Sequence, residues 1–186
     1  YFFKLIFKLV GWSYQPGNIL PCKCILIAAP HTSNWDFPMM LFYGFILDLK
    51  YNWLGKHTLF FGPLGPLMRR LGGIPINRAK KNDYVILLSK ELKSKSQCVL
   101  IIPPEGTRSR SNYWRSGFLH IARMAEVPIV FANLDYQKKN LTFSEAVLSS
   151  LPDDKIMALA QVFYRDAKGL NPNNFGPVRL RSKDQT

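Results

Sequence analysis

Two short apolar runs, Lys23–Ala29 (KCILIAA, apolar after its first residue) and Cys98–Ile102 (CVLII), most constrain what this chain can fold into. A strand with one wet face alternates apolar and polar residues. A strand apolar at every position needs cover on both faces, as in a parallel sheet sandwiched by helices. Helical patterns fall between the apolar runs. Trp35–Leu49 reads as a mostly apolar helix, Pro63–Leu71 as a short helix ended by Gly72-Gly73, and Asn82–Lys95 as an amphipathic helix. Gly117–Glu126 and Asp153–Lys168 continue the pattern, with further strands expected at Tyr51–Leu54, Ile74–Ile76 and Pro128–Leu134. The expectation is an α/β fold with a largely parallel central sheet flanked by helices.

At 186 residues one domain is expected. A chain of this size buries roughly two-thirds of its unfolded surface and needs no disulfides. Cys22, Cys24 and Cys98 form neither an even framework nor a zinc-ligand pattern and read as small buried residues in a reducing compartment. The domain divides into a membrane-associating segment over residues 1–20, a core over 21–140 and a C-terminal extension over 141–186. The chain lacks an initiating Met, which leaves room for residues upstream.

Polar clusters follow three of the strands: PHTSNWD at 30–36, Asn77-Arg78, and PPEGTRSR at 103–110. Segments leaving the carboxyl ends of parallel strands line one crevice, so the three clusters are expected to converge there. In the first, His31 precedes a helix and Asp36 lies in its first turn. A neutral imidazole there can accept a proton as a general base, and the carboxylate can fix its tautomer by taking the other ring N–H. The nucleophile would then be a hydroxyl on the substrate, since no G-x-S-x-G elbow surrounds Ser33. The same stretch also fits a capping box, in which Asp36 only stabilises the helix. In the third cluster Arg108, Arg110 and Arg115 offer forked donors for phosphate oxygens, as does Arg78 at another strand end. Glu105 could orient an arginine, bind substrate or form a structural ion pair. His57 and His120 lack a carboxylate at the same spacing, and no metal-ligand pattern is present.

These clusters resemble the four-block signature of the glycerolipid acyltransferase family, the group containing 1-acylglycerol-3-phosphate acyltransferases. The first block is His31-Thr32-Ser33-Asn34-Trp35-Asp36, the second Gly72 to Arg78, the third Pro104-Glu105-Gly106-Thr107-Arg108-Ser109, and the fourth Val127-Pro128-Ile129-Val130-Phe131. The resemblance implies a glycerol-3-phosphate acyltransferase-like fold. It implies that His31 deprotonates an acceptor hydroxyl, with Asp36 orienting it, for attack on the thioester of acyl-CoA or acyl carrier protein. It further implies that Arg78, Glu105, Gly106, Thr107, Arg108 and Arg110 form the glycerol-phosphate site, with neither metal nor other cofactor. The acceptor suggested first is 1-acyl-sn-glycerol 3-phosphate, giving phosphatidic acid in phospholipid biosynthesis. Pro75 and Phe131 depart from the usual second and fourth blocks and leave glycerol 3-phosphate, other lysophospholipids and amino-acid lipids open as acceptors.

The chain carries 25 Lys and Arg against 12 Asp and Glu, a formal net charge of +13, which favours anionic partners. No run reaches the roughly 18 apolar residues of a membrane span. The opening YFFKLIFKLVGW instead suits a short amphipathic helix lying in a bilayer interface, or packed on the domain. Peripheral association with the cytoplasmic face of a membrane, preferably one rich in anionic lipid, is therefore expected. A basic nucleic-acid-binding module is the rival from another class. No RNA- or DNA-binding signature supports it, and no nucleic acid is expected as partner. A catalytically silent membrane adaptor should have lost His31 or Asp36, and an esterase would need a nucleophile or positioned water that is not evident.

Overall fold

The computed structural model describes residues 7, 9–14, 20–76 and 81–181. Seven strands form one sheet: β1 (Ser13–Tyr14), β2 (Lys23–Ala29), β3 (Tyr51–Lys56), β4 (Gly73–Ile76), β5 (Cys98–Ile102), β6 (Ile129–Asp135) and β7 (Asn140–Phe143). Their spatial order is β1-β7-β6-β2-β5-β3-β4. All neighbours run parallel except the β6–β7 hairpin. The two apolar runs that set the expectation, β2 and β5, lie side by side in the middle, with Leu26 opposite Ile101. Every residue of β5 is buried, as two-sided cover requires.

Side chains alternate across the sheet, so each central strand supplies two cores. Ile25, Ile27, Leu100, Ile102, Ile129 and Phe131 point into one. Cys24, Leu26, Val99, Ile101, Val130 and Ala132 point into the other. The first core is covered by α3 (Lys81–Ser94), α4 (Gly117–Ala125) and α5 (Asp153–Phe163), through Leu88 and Leu92, Phe118 and Ala122, and Ile156 and Ala160. The second is covered mainly by α1 (Asp36–Ile46), through Tyr43 and Ile46. A 3-10 turn (His57–Phe60) and α2 (Leu64–Arg70) carry the chain from β3 to β4.

Several expectations are adjusted. The last helix ends at Phe163, not Lys168. Tyr164 drops into the first core, with its hydroxyl 2.8 Å from the Ile27 carbonyl and 3.1 Å from that of Ala132. Strands β1 and β7 were not anticipated. Cys22 is exposed, whereas Cys24 and Cys98 are buried as expected, and burial pushes the Cys24 thiol up to about 12. Most of the expected N-terminal helix lies outside the described residues. Phe7 is described, and its buried ring meets Tyr43 edge-on at 5.0 Å.

Candidate active site

The carboxyl ends of β2 and β5 leave the sheet together, and the turns that follow them meet. Glu105 Oε1 accepts the His31 backbone N–H at 3.0 Å, and Arg108 Nη1 donates to Asn34 Oδ1. The first turn closes on the Asp36 carboxylate. Oδ2 takes the His31 ring Nδ1 at 3.0 Å and the backbone N–H groups of Thr32 and Ser33 at 2.9 and 3.0 Å. Ser33 Oγ accepts the Trp35 N–H at 3.1 Å. The carboxylate that meets His31 also ties down the Thr32–Ser33 turn, and no side chain caps α1 itself. Asp36 thus closes the turn ahead of α1 and holds the imidazole by one atom. With Nδ1–H donated to Asp36, Nε2 is left as the acceptor nitrogen.

The other oxygen of Asp36 has a partner the sequence did not reveal. Tyr136 Oη donates to Oδ1 at 2.8 Å. Tyr136 opens the β6–β7 turn, which Asp135 shapes by accepting the N–H groups of Gln137 and Lys138 at 2.9 and 2.8 Å. Burial, and then the Asp36 charge, raise the Tyr136 phenol well above its ordinary range, so it remains a donor. A second unforeseen partner is Asn171. Its backbone N–H reaches Thr32 Oγ1 at 3.2 Å and its side-chain Nδ2 the Thr32 carbonyl at 2.9 Å, clasping the C-terminal segment to the His31 turn. The two residues lie 100 and 139 positions from their partners, and no local pattern marks them.

Glu105 is only 3% exposed and sits behind the imidazole. Desolvation raises its carboxyl to about 7 despite the His31 N–H, and Oε2 has no hydrogen-bond partner. No arginine among the described residues bonds it, and its bond to the His31 N–H gives it the part of a brace for that backbone. Gly106 has φ of +66°, and a Cβ there would fall 2.5 Å from Arg115 Nε. The positive φ favours glycine, and the Arg115 guanidinium lies along the turn. Thr107 Oγ1 accepts the Ser109 N–H at 3.2 Å. Arg110 turns toward the C-terminal segment, where Nη1 donates to the carbonyls of Asn173 and Phe175 at 3.2 and 2.8 Å. Arg108 is exposed beside Asn34. Arg78 and the rest of its polar cluster lie outside the described residues.

Between α1 and the sheet lies a cavity of about 80 Å³. Its walls are largely apolar, including Leu26, Met40, Leu47, Ala132 and Leu134, and His31 and Asp36 stand among them. An imidazole at the edge of an apolar slot suits chemistry at the end of a hydrocarbon chain.

The family model described as Acyltransferase matches residues 14–133. The chain belongs to the acyltransferase family. The matched span contains His31, Asp36 and the 103–110 turn, and ends before Tyr136 and Asn171. Among solved structures, this acyltransferase resembles the 1-acyl-sn-glycerophosphate (LPA) acyltransferase PlsC from Thermotoga maritima. The TM-score is 0.61 at 22% identity, over 88% of this chain and 74% of that one. The α/β fold with its mostly parallel sheet is shared with that enzyme. No curated protein matches the sequence significantly. No helix among the described residues of the acyltransferase is long and apolar enough to cross a membrane.

Proposed function

We propose that this acyltransferase moves a fatty acyl group from the thioester of acyl-CoA or acyl carrier protein to a hydroxyl of a lysophospholipid. The preferred acceptor is 1-acyl-sn-glycerol 3-phosphate, and the product phosphatidic acid. The observation that carries the reading is the His31–Asp36 pair, set at an apolar cavity and tied through Asn34 to Arg108. His31 Nε2 takes the proton of the acceptor hydroxyl as its oxygen attacks the thioester carbonyl. The tetrahedral intermediate collapses, the C–S bond breaks, and the leaving thiolate takes the proton back from His31. Asp36 holds the ring in the required tautomer. Arg108 and Arg115 receive the phosphate, with Gly106 allowing close backbone approach. Arg110 is left out of that group because its Nη1 is engaged with the C-terminal carbonyls. The acyl chain occupies the slot between α1 and the sheet. The enzyme works at the cytoplasmic face of a membrane, where both substrates partition, and needs no metal or other cofactor.

Acyl-CoA and acyl carrier protein donors, assayed against phosphate-bearing and uncharged lysolipids, test the reading. His31→Ala should lower turnover by about 10²–10⁴-fold. Near-normal turnover would remove His31 as the base. Arg108→Ala should raise KM for phosphate-bearing acceptors and spare uncharged ones, and equal effects on both would remove it from the phosphate site.

A further inference from the structure

The segment from His57 to Arg70 presents an apolar surface that none of the described residues covers. Phe61 is 71% exposed and Leu64 62%, and Leu59 and Leu67 are also exposed. The segment is held firmly from beneath. Phe60 is buried, stacked on Trp53 at 5.8 Å, with the Arg69 guanidinium 5.3 Å over its ring. At Gly65 a Cβ would fall 2.3 Å from the Phe60 carbonyl oxygen, so α2 rests directly on the 3-10 turn. The space beneath that could receive Phe61 or Leu64 is therefore already filled.

The position of this wedge and its charge identify what it meets. Strand register sets Leu26, Ile101 and Trp53 at one level. His31 lies five residues beyond Leu26 and His57 four beyond Trp53, so the wedge leaves the sheet at the height of the His31 turn. From Leu49 to Asn82 the sequence contains no Asp or Glu, and its cations are Lys50, Lys56, Arg69, Arg70, Arg78, Lys80 and Lys81. An apolar crest flanked only by positive charge complements a bilayer with anionic headgroups: hydrocarbon below, phosphates at the level of the cations.

We infer that residues 57–70 form a rigid wedge whose Leu59, Phe61, Leu64 and Leu67 enter the outer acyl region of an anionic bilayer, while Lys56 and Arg70 engage lipid phosphates. This rests on the proposed lysophospholipid acylation, which it supplies with a docking surface at the active-site rim. The wedge sets the His31 turn against the membrane, so an amphiphilic acceptor can present its hydroxyl without leaving the headgroup layer.

Sedimentation with phosphatidylcholine–phosphatidylglycerol vesicles tests the inference. The double variant Phe61→Asp/Leu64→Asp should lower vesicle affinity by at least about tenfold. Leu159→Asp/Val162→Asp, which removes exposed apolar groups from α5, should change it by less than about twofold. Lys56→Ser/Arg70→Ser should weaken the preference for phosphatidylglycerol over pure phosphatidylcholine. In Phe61→Trp, brominated lipid chains should quench fluorescence beyond the wild-type level. Acyl transfer from a short, water-soluble donor to a monomeric acceptor should be unchanged in the Phe61/Leu64 variant. Unaltered vesicle affinity in that variant, equal losses in the α5 control, or no added quenching would overturn the wedge. Binding that persists without lipid dependence would point to a protein partner and overturn it equally. Absence of acyl transfer in the wild type would instead defeat the proposed function, and the vesicle measurements would still decide the wedge.

Discussion

The two faces of the sheet are built from the same strands and finished differently. On one, three helices close over Ile25, Ile27, Leu100, Ile102, Ile129 and Phe131, and Trp114, Phe118, Ala122, Ile156 and Ala160 fill the interior. On the other, α1 provides most of the cover and a cavity of about 80 Å³ remains beneath it. The filled face supplies the cohesion, and this offsets the packing that the vacant face forgoes. The groups proposed to react lie at the seam. Asp36 belongs to the helix on the vacant side. Burial raises the Tyr164 phenol of the filled side, and Glu105 is close enough for its charge to raise it further.

The sharpest way to break this contrast is to hollow the filled face. Phe118→Ala, at a side chain 2% exposed, should cost about 3–5 kcal/mol in denaturant unfolding. Met40→Ala, in a wall that already borders empty space, should cost well under half as much. A loss for Met40 equal to that for Phe118 would show both faces packed alike.

The seam comes next. Glu105 has its folded pKa raised to about 7 by burial. Its folded form therefore binds a proton more tightly than the unfolded chain does. Its favourable contribution is complete below the ordinary glutamate range, and is lost as pH rises toward about 7. Glu105→Gln keeps an acceptor for the His31 N–H and never ionises. Its stability relative to wild type should improve by up to about 3 kcal/mol as pH climbs through that window, read from unfolding curves at several pH values. A difference independent of pH would mean the carboxyl is ionised throughout.

Enlarging alanines probes the same contrast from the other direction. Ala160→Leu, at a fully buried site on the filled face, should cost about 1–3 kcal/mol by overpacking. Ala132→Leu borders the vacant slot and should cost less than about 1 kcal/mol, while shifting donor preference toward shorter acyl chains in a competition assay. The smallest effect is expected at Tyr136. Tyr136→Phe removes one of four bonds to Asp36 and should lower kcat about two- to threefold with little change in KM. A change confined to KM would make Tyr136 a substrate contact.

Much of this architecture could be read from local pattern. Cys24–Ala29 and Cys98–Ile102 announce two-sided burial, so the central strands and the parallel sheet follow from them. The His31–Asp36 spacing places both groups in one turn before an apolar helix, and that turn is what forms. Long-range partners were not readable. Asn140–Phe143 is a four-residue strand after a charged turn, and its pairing with β6 depends on the hairpin shaped by Asp135. Tyr136 and Asn171 reach the site through tertiary folding alone. Glu105 sits in a motif rich in cationic groups, which suggests an outward carboxylate. The turn through Pro103–Gly106 instead curls it inward to bond the His31 N–H.

One atom, Asp36 Oδ2, both closes the turn ahead of α1 and holds an imidazole. A protein that used separate groups for these tasks could lose one and keep the other. Here the two are inseparable, so any change that frees the turn also frees the ring.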